Sequence, residues 1–342
     1  MTVRLEDIPF LSTLGFLLTY RCTISCQHCM LEAGPRRKKK MALGSVLGWI
    51  DEAAAYRRGA IKCIELTGGE PFYDLQTLAL VSDHALKAGL SVTVATNAGW
   101  AGTLEQAILT LTHLPAIKTI SISTDVYHQQ FIPIGHIHNA IIAAELLDRR
   151  YDVTVTTDNT LDEHYRSIMA SLETRVDPGL IRTAVTLPAG RARKNGRTLL
   201  HRTSPEPVAT ACDSSGKPVI LPEGRVMACS GPMLTQHESG PLCLGNLRKE
   251  SLETVLDRAE TNTLLHLIRV WGPHRMVSLL KSRGQVDLLP KEYICDSNCD
   301  ICNKLFSDRH IAARLAEILD EPENRAIIAA EKIRRLFGTG QF

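Results

Sequence analysis

Six short runs rich in Val, Ile and Thr recur between residues 13 and 190, each followed by a longer stretch with helical spacing. The runs fall at 13–20, 61–67, 91–96, 117–123, 152–157 and 181–187. They are mostly apolar, as strands buried on both faces should be. In 46–58, one of the intervening stretches, Leu47, Ile50 and Ala54 share a helical face. Gly59 and Gly89 lie just past two of these stretches, where a left-handed helix cap is expected. Strands alternating with helices in series imply a parallel sheet with right-handed crossovers. Six units are too few to close the eight-stranded barrel, so the expected fold is α/β, a partial (β/α)6 TIM-type barrel.

After about residue 200 the rhythm changes. Pro, Gly and Cys become frequent, and two helical patterns, 307–320 and 323–336, end the chain. The expected division is therefore 1–200, the partial barrel, and 201–342, a small cysteine-rich domain with C-terminal helices. With 44% apolar and 22% charged residues the composition is globular, and a net charge of +2 supplies no field for nucleic acid or an anionic membrane. No apolar run reaches the ~18 residues of a membrane span, and the N-terminal stretch has no signal-peptide pattern. A cytoplasmic protein without membrane or nucleic-acid partners is expected. Arg36–Lys40 is a run of five basic residues, read as a solvated loop in preference to a substrate-binding segment.

In a reducing compartment, ten cysteines need a purpose other than disulfides. Cys22, Cys26 and Cys29 fall within eight positions, and so do Cys295, Cys299 and Cys302. Tight groups of this kind point to metal or cluster ligation. Three thiolates on the loop after the first strand can hold three irons of a [4Fe–4S] cube and leave the fourth iron open for chemistry. Zinc is the competing reading of the spacing, although its ligands more often come as paired C-x2-C. Cys63, inside the second run, is expected in the core. After the second run comes Gly68-Gly69-Glu70-Pro71, where glycines permit close approach of a ligand and a carboxylate can pair with an ammonium group.

The C-x3-C-x2-C loop followed by this Gly-Gly-Glu-Pro turn resembles the radical S-adenosylmethionine (SAM) superfamily over about residues 13–190. The resemblance implies that Cys22, Cys26 and Cys29 hold a catalytic [4Fe–4S] cluster whose open iron binds the methionine part of SAM. Gly68, Gly69, Glu70 and Pro71 would then contact its amino group. Reductive cleavage of SAM to a 5′-deoxyadenosyl radical and abstraction of a substrate hydrogen follow, with a flavodoxin- or ferredoxin-type electron donor as partner. By the same resemblance Thr96, Asn97, Ser121, Ser123 and Asp125, at strand ends, help seat the cofactor, and Arg191 lies close to it. Asn97 also reads as a simple turn residue. Tyr127 and His128 are candidates for substrate contact or proton transfer, against the plainer reading of His128 as a supporting or surface histidine. Where the family commonly has an aromatic residue before the third cysteine, this chain has His28.

Cys212, then Gly224-x4-Cys229 and Leu244-Gly245-Asn246-Leu247, resemble the opening of SPASM and twitch auxiliary-cluster domains. Those with two auxiliary clusters use seven cysteines; from Cys212 onward this chain has six. The resemblance therefore implies one second [4Fe–4S] cluster on Cys212, Cys229, Cys299 and Cys302. Cys295 is a possible substitute ligand, and Cys243 is spare. A structural zinc is the alternative. A spare thiol such as Cys295 can donate a hydrogen atom in an epimerisation, while inert burial is the commoner fate. The expected reaction is oxidation or cross-linking of a peptide or peptide-like substrate. The alternatives are a dehydrogenase or epimerase of a sugar-like, aminoglycoside-type metabolite and, from another class, a non-catalytic iron–sulfur or zinc protein. The short N-terminal stretch leaves no room for a peptide-recognition domain, which argues for a small molecule or for a peptide delivered by another protein.

Overall fold

The computed structural model describes residues 9–196, 199–235 and 240–337. The chain divides into two compact units. A barrel unit comprises Thr13–Leu200 with Ile220–Gly224, and a C-terminal unit comprises His201–Val219 and Arg225–Phe342 together with the first twelve residues.

The barrel unit carries six strands: β1 (Thr13–Leu17), β2 (Cys63–Thr67), β3 (Ser91–Thr96), β4 (Ile117–Thr124), β5 (Arg150–Thr157) and β6 (Ile181–Val185). They run in sequence order across the sheet, and every adjacent pair is parallel. Helices α1 (Leu43–Ala55), α2 (Leu75–Lys87), α3 (Leu104–Thr112), α4 (Ile134–Leu146) and α5 (Glu163–Glu173) connect them, and the short α6 (Arg191–Lys194) follows β6. Gly59 and Gly89 take φ of 84° and 82°, the left-handed caps expected of them.

β1 is buried on both faces, as expected, but β2 to β5 are not. Ile64, Leu66, Val92, Val94, Ile120, Ile122, Val153 and Val155 are fully buried on one face, while the residues between them are half-buried. Those intervening positions include Glu65, Thr93, Ser121, Ser123 and Thr154. A sheet that does not close has no second layer of apolar chains to fill its other face, so period-two alternation wins over the all-apolar pattern. Cys63 lies on this half-buried side, its sulfur 3.7 Å from Thr93 Oγ1, and is not a core residue. On α1 the buried residues are Val46, Ile50 and Ala53, so the packed face is turned by one residue from the Leu47–Ile50–Ala54 stripe. Each fully buried Val, Leu or Ile contributes about 1.5–3 kcal/mol, which makes this helix–sheet layer the main source of the unit's stability.

The C-terminal unit is mainly helical: α7 (Leu252–Glu260), α8 (Thr263–Val270), α9 (His274–Ser282), α10 (Asn298–Ser307), α11 (Arg309–Asp320) and α12 (Pro322–Phe337). The last two match the expected C-terminal helices; α7 to α10 went unread. They are eight to ten residues long and interrupted by Gly272-Pro273, too short for periodicity to stand out. Two small antiparallel ribbons, Arg225–Met227 with Cys243–Asn246 and Thr203–Ser204 with Tyr293–Ile294, complete the unit. The buried carboxylate of Glu260 accepts the backbone N–H groups of Phe10 (2.7 Å) and Leu11 (2.9 Å), which ties the segment before β1 to this unit.

Candidate active site

The cysteine loop leaves β1 and returns to α1. Cys22 and Cys26 are each 6% exposed and pack with Ile24, Ala33, Tyr127 and Ile132, with Cys29 against the same cluster. Backbone hydrogen bonds fold the loop on itself, Cys29 N–H to Cys26 O (3.3 Å) and Cys22 N–H to Gly34 O (3.3 Å). N–H groups also point at sulfur: Ala33 N donates to Cys29 Sγ at 3.4 Å, and Asn97 Nδ2 to Cys22 Sγ at 3.6 Å. Burial, reinforced by the neighbouring Glu70 carboxylate, pushes the Cys22 thiol up to about 12. Three converging thiols with N–H donors to sulfur are the donor set that an iron–sulfur cluster takes.

The turn after β2 holds this loop in place. Gly69 N–H donates to Thr19 O at 2.6 Å and Glu70 N–H to Arg21 O at 2.9 Å. A Cβ on Gly69 would lie 2.2 Å from Arg21 O, and one on Gly68 would lie 2.7 Å from Thr19 O. The two glycines thus let one backbone lie flush on another, a role that the sequence reading gave to ligand approach. Glu70 is 2% exposed. Its Oε1 accepts Thr96 Oγ1 (2.8 Å) and Phe72 N–H (3.1 Å), and its Oε2 accepts Asn97 N–H (2.8 Å). Burial raises its carboxyl to about 7 against the pull of these donors. Pro71 opens a 3-10 turn, Pro71–Asp74, capped by the same Glu70 side chain.

Thr96 and Asn97 close β3 beside the loop. Thr96 Oγ1 also accepts Trp100 Nε1–H (3.0 Å), and Trp100 stacks on Phe72 with ring centroids 4.5 Å apart. Asn97 is a turn residue whose Oδ1 accepts Gly99 N–H (2.9 Å), and its Nδ2 also reaches Cys22 Sγ.

Asp125, at the end of β4, is fully buried. Its Oδ1 accepts the N–H groups of Tyr127 (2.8 Å) and His128 (2.9 Å), while Oδ2 meets His128 Nδ1 at 2.8 Å and His28 Nε2 at 3.3 Å. Burial works to raise its carboxyl, but the imidazoles of His128 and His28 hold it well below the usual carboxylate range. Burial likewise works against protonation of His128, and the Asp125 charge outweighs it, keeping His128 well above its ordinary value. His28 stacks on Tyr127 (4.4 Å, 26°) and meets His128 edge-on at 5.3 Å. Tyr127 is 1% exposed, and its hydroxyl donates to Asp158 Oδ1 at 3.2 Å. His128 thus lies next to the loop, paired with Asp125. The partnership of His28 with Asp125 escaped the sequence reading, because the two lie far apart in the chain. Ser121 donates to Asp152 Oδ2 (2.9 Å) on β5, and Ser123 is half-buried on β4; no contact joins either serine to the cysteine loop among the described residues.

Arg191 grips the far side of the loop. Its backbone N–H donates to Cys29 O at 3.0 Å, one guanidinium nitrogen to Cys26 O, and the other to Ala33 O at 2.5 Å. Gly190, at φ 52°, makes this possible, because a Cβ there would lie 2.2 Å from Met30 O. The guanidinium thus holds the loop's carbonyls, which the sequence reading did not foresee.

Within the C-terminal unit a second thiol group forms. Cys302, in the first turns of α10, has its thiol pushed well above the ordinary value by burial and by the nearby Cys299, Cys229 and Cys212. Burial, with Cys212 adding to it, pushes Cys229 up to about 11. A Cβ on Gly231 would lie 3.4 Å from Cys299 Sγ and 3.8 Å from Cys229 Sγ. These four thiols are neighbours, but among the described residues no three of their sulfurs lie within 4.8 Å of one another, a spacing too wide for one metal ion and open to an iron–sulfur cluster. Cys243 neighbours Arg258, and the Cys295 backbone N–H donates to Arg202 O at 2.9 Å; neither contributes to the Cys302 shift.

Residues 16–162 match the sequence profile of the Radical SAM superfamily. Residues 16–162 are thus a radical SAM domain, and the chain is an enzyme. Enzymes of this superfamily use SAM and a [4Fe–4S] cluster, and the three-thiol loop of the barrel unit suits that cluster. A relative from Bacillus subtilis (strain 168), YydG, named for peptide biosynthesis, is 22% identical over 303 residues, covering 86% of this chain and 92% of its own. Among solved structures, anSMEcpe with bound AdoMet superposes with a TM-score of 0.53 at 13% identity, covering 94% of this chain and 98% of that one. The structure of anSMEcpe with AdoMet and the Kp18Cys peptide gives 0.52 at 12% identity, covering 90% and 98%. The likeness in fold to anSMEcpe therefore extends over nearly the whole chain. No described helix is long and apolar enough to cross a membrane.

Proposed function

We propose that this radical SAM enzyme oxidises or cross-links a peptide, with Cys22, Cys26 and Cys29 holding the catalytic [4Fe–4S] cluster. The end-to-end similarity to YydG, over 86% of this chain and 92% of that one, carries the peptide reading. Cluster and SAM together supply a hydrogen-abstracting radical. In this proposal the chain's own residues do the rest. Glu70, on the turn built by Gly68, Gly69 and Pro71, would receive the SAM ammonium, whose charge favours the ionised carboxylate. Thr96 and Asn97 fix the Glu70 carboxylate. Asp125 holds His28 and His128, which with Tyr127 wall the loop against water. Ser121 and Ser123 present hydroxyls on the half-buried side of β4, available to the cofactor or substrate. Residues 201–342 form an auxiliary-cluster domain in which Cys212, Cys229, Cys299 and Cys302 hold a second [4Fe–4S] cluster. Electrons come from a flavodoxin- or ferredoxin-type donor, in a reducing cytoplasm that suits ten free cysteines.

The test is mass spectrometry of candidate precursor peptides incubated with holoenzyme, SAM and reductant in deuterated water. Loss of two hydrogens supports oxidation or cross-linking. Unchanged connectivity with one solvent deuterium means epimerisation, with Cys243 and Cys295 as donors to be tested. SAM cleavage with no change to any peptide, and turnover of an aminoglycoside-type sugar, would overturn the peptide reading. Glu70→Gln is expected to keep its iron and lose about 10- to 100-fold in SAM cleavage, the worth of one charged hydrogen-bonded contact.

A further inference from the structure

The run Arg36–Lys40 follows the cysteine loop directly, and all five residues are exposed. Its charges are unevenly matched. Lys39 pairs with Glu223 and Lys40 with Asp74, each at 3.3 Å. Arg37 donates to Glu32 O at 3.2 Å and lies 5.0 Å over the Tyr20 ring, contacts that fix its place without neutralising it. Among the described residues, Arg36, Arg37 and Lys38 form no ion pair, so the run presents a net positive face on a chain whose total charge is only +2.

That face is wired to the thiols through very few bonds. Cys22 N–H donates to Gly34 O, and Arg37 N–H donates to the same carbonyl at 3.1 Å. One peptide carbonyl therefore links the first cysteine to the middle of the basic run. Beside the run, Lys38, Lys40 and Arg21 border a cavity of about 310 Å³ whose apolar lining includes Leu18, Met41 and Val46. A cationic rim over an apolar floor is the anatomy of a protein-docking patch rather than of a purely solvated loop.

We propose that Arg36–Lys40 is the docking surface for the acidic one-electron carrier protein, of flavodoxin type, that reduces this enzyme. The inference rests on the radical SAM reading of the cysteine loop. One electron leaves the carrier and one enters the enzyme, and no bond or proton has to move. Positive charge on the segment hydrogen-bonded to the cysteine loop steers an acidic partner and brings its redox centre to that loop. A peptide substrate with acidic residues is the competing occupant, but a peptide needs the reacting carbon near SAM, not contact with the outer side of the loop.

The experiment compares holoenzyme with Arg36→Gln/Lys38→Gln, two residues outside the loop's hydrogen bonds. SAM cleavage without peptide is driven either by reduced flavodoxin or by dithionite, across a salt series, and flavodoxin binding is titrated directly. The expected result with flavodoxin at low salt is a loss of about tenfold in rate and in affinity, within the range of charge steering. The variant is also expected to lose most of its salt sensitivity while dithionite-driven cleavage stays within about twofold. Equal loss in both arms overturns the proposal and gives the run a role in holding the cluster. An unchanged flavodoxin arm with a raised peptide KM assigns the surface to the substrate instead. Wild-type cleavage that dithionite supports and no flavodoxin supports overturns it as well. Absence of cleavage even with dithionite would instead indict the radical reading on which the inference rests.

Discussion

The two thiol groups are assembled in opposite ways. In the barrel unit three cysteines lie within eight consecutive positions, and the restraints come from elsewhere: the turn after β2, the ends of β3 and β4, and Arg191 after β6. In the C-terminal unit four cysteines arrive from three separate stretches, around 212, 229 and 299–302. A local loop braced from outside can leave one coordination position open and still keep its shape. A group gathered from distant segments has no such brace, so the bound metal or cluster becomes the cross-link. The first arrangement suits chemistry and the second suits structure or electron storage.

The largest effect is expected from Cys22→Ala/Cys26→Ala/Cys29→Ala. Iron in anaerobically reconstituted protein should fall from about eight to about four per chain, on four-iron stoichiometry, and SAM cleavage should drop to background. Thermal unfolding should hardly change, because the loop is braced by backbone contacts. About four irons falling to none, with zinc retained, would make the C-terminal group a structural zinc site.

Cys302→Ala should give the mirror image. Iron is again halved, but dithionite-driven cleavage persists while the C-terminal unit loses protease resistance. Structural metals in small domains supply about 10–16 kcal/mol of apparent binding energy, so the loss should be plain in a melting curve. A variant as stable as the parent would break the comparison.

A matched glycine pair sharpens it. Gly69→Ala forces a methyl group to 2.2 Å from Arg21 O, and should cost about 1–3 kcal/mol and lower the iron retained by the loop. Gly231→Ala places its methyl 3.4 Å from the nearest tetrad sulfur, an ordinary contact, and should cost within about 0.5 kcal/mol. Equal effects would mean that the two sites are braced alike. The smallest change is expected from Arg191→Lys, where one ammonium cannot span the two carbonyls that the guanidinium holds. Iron content after reconstitution should be normal, with loss to a chelator about two- to threefold faster, about the change that one net hydrogen bond makes.

Much of this was legible in the sequence because it is local. Ser91–Thr96 is a strand with the bounds its Val-Thr alternation suggests, and the cysteine spacing carries its own chemistry. What stayed hidden depends on distant partners. Nothing near His28 announces Asp125, and nothing in Gly68-Gly69 says that the backbone lying against them belongs to Thr19–Arg21 rather than to a ligand. The alternation of burial along β2 to β5 was hidden too. Val, Ile and Thr favour strands equally whether the second face meets a filled interior or an open one.

The grip of Arg191 on the carbonyl of Cys26 spans 165 residues. A ribosome adds about 5–20 residues per second, so the cysteine loop leaves the tunnel roughly 8–33 seconds before its clamp has been made. Through that interval Cys22, Cys26 and Cys29 ride on a nascent chain without the contacts that shape them. The final shape of the cysteine loop is therefore available only after β6 and Arg191 have been made, although the loop itself is among the first segments to emerge.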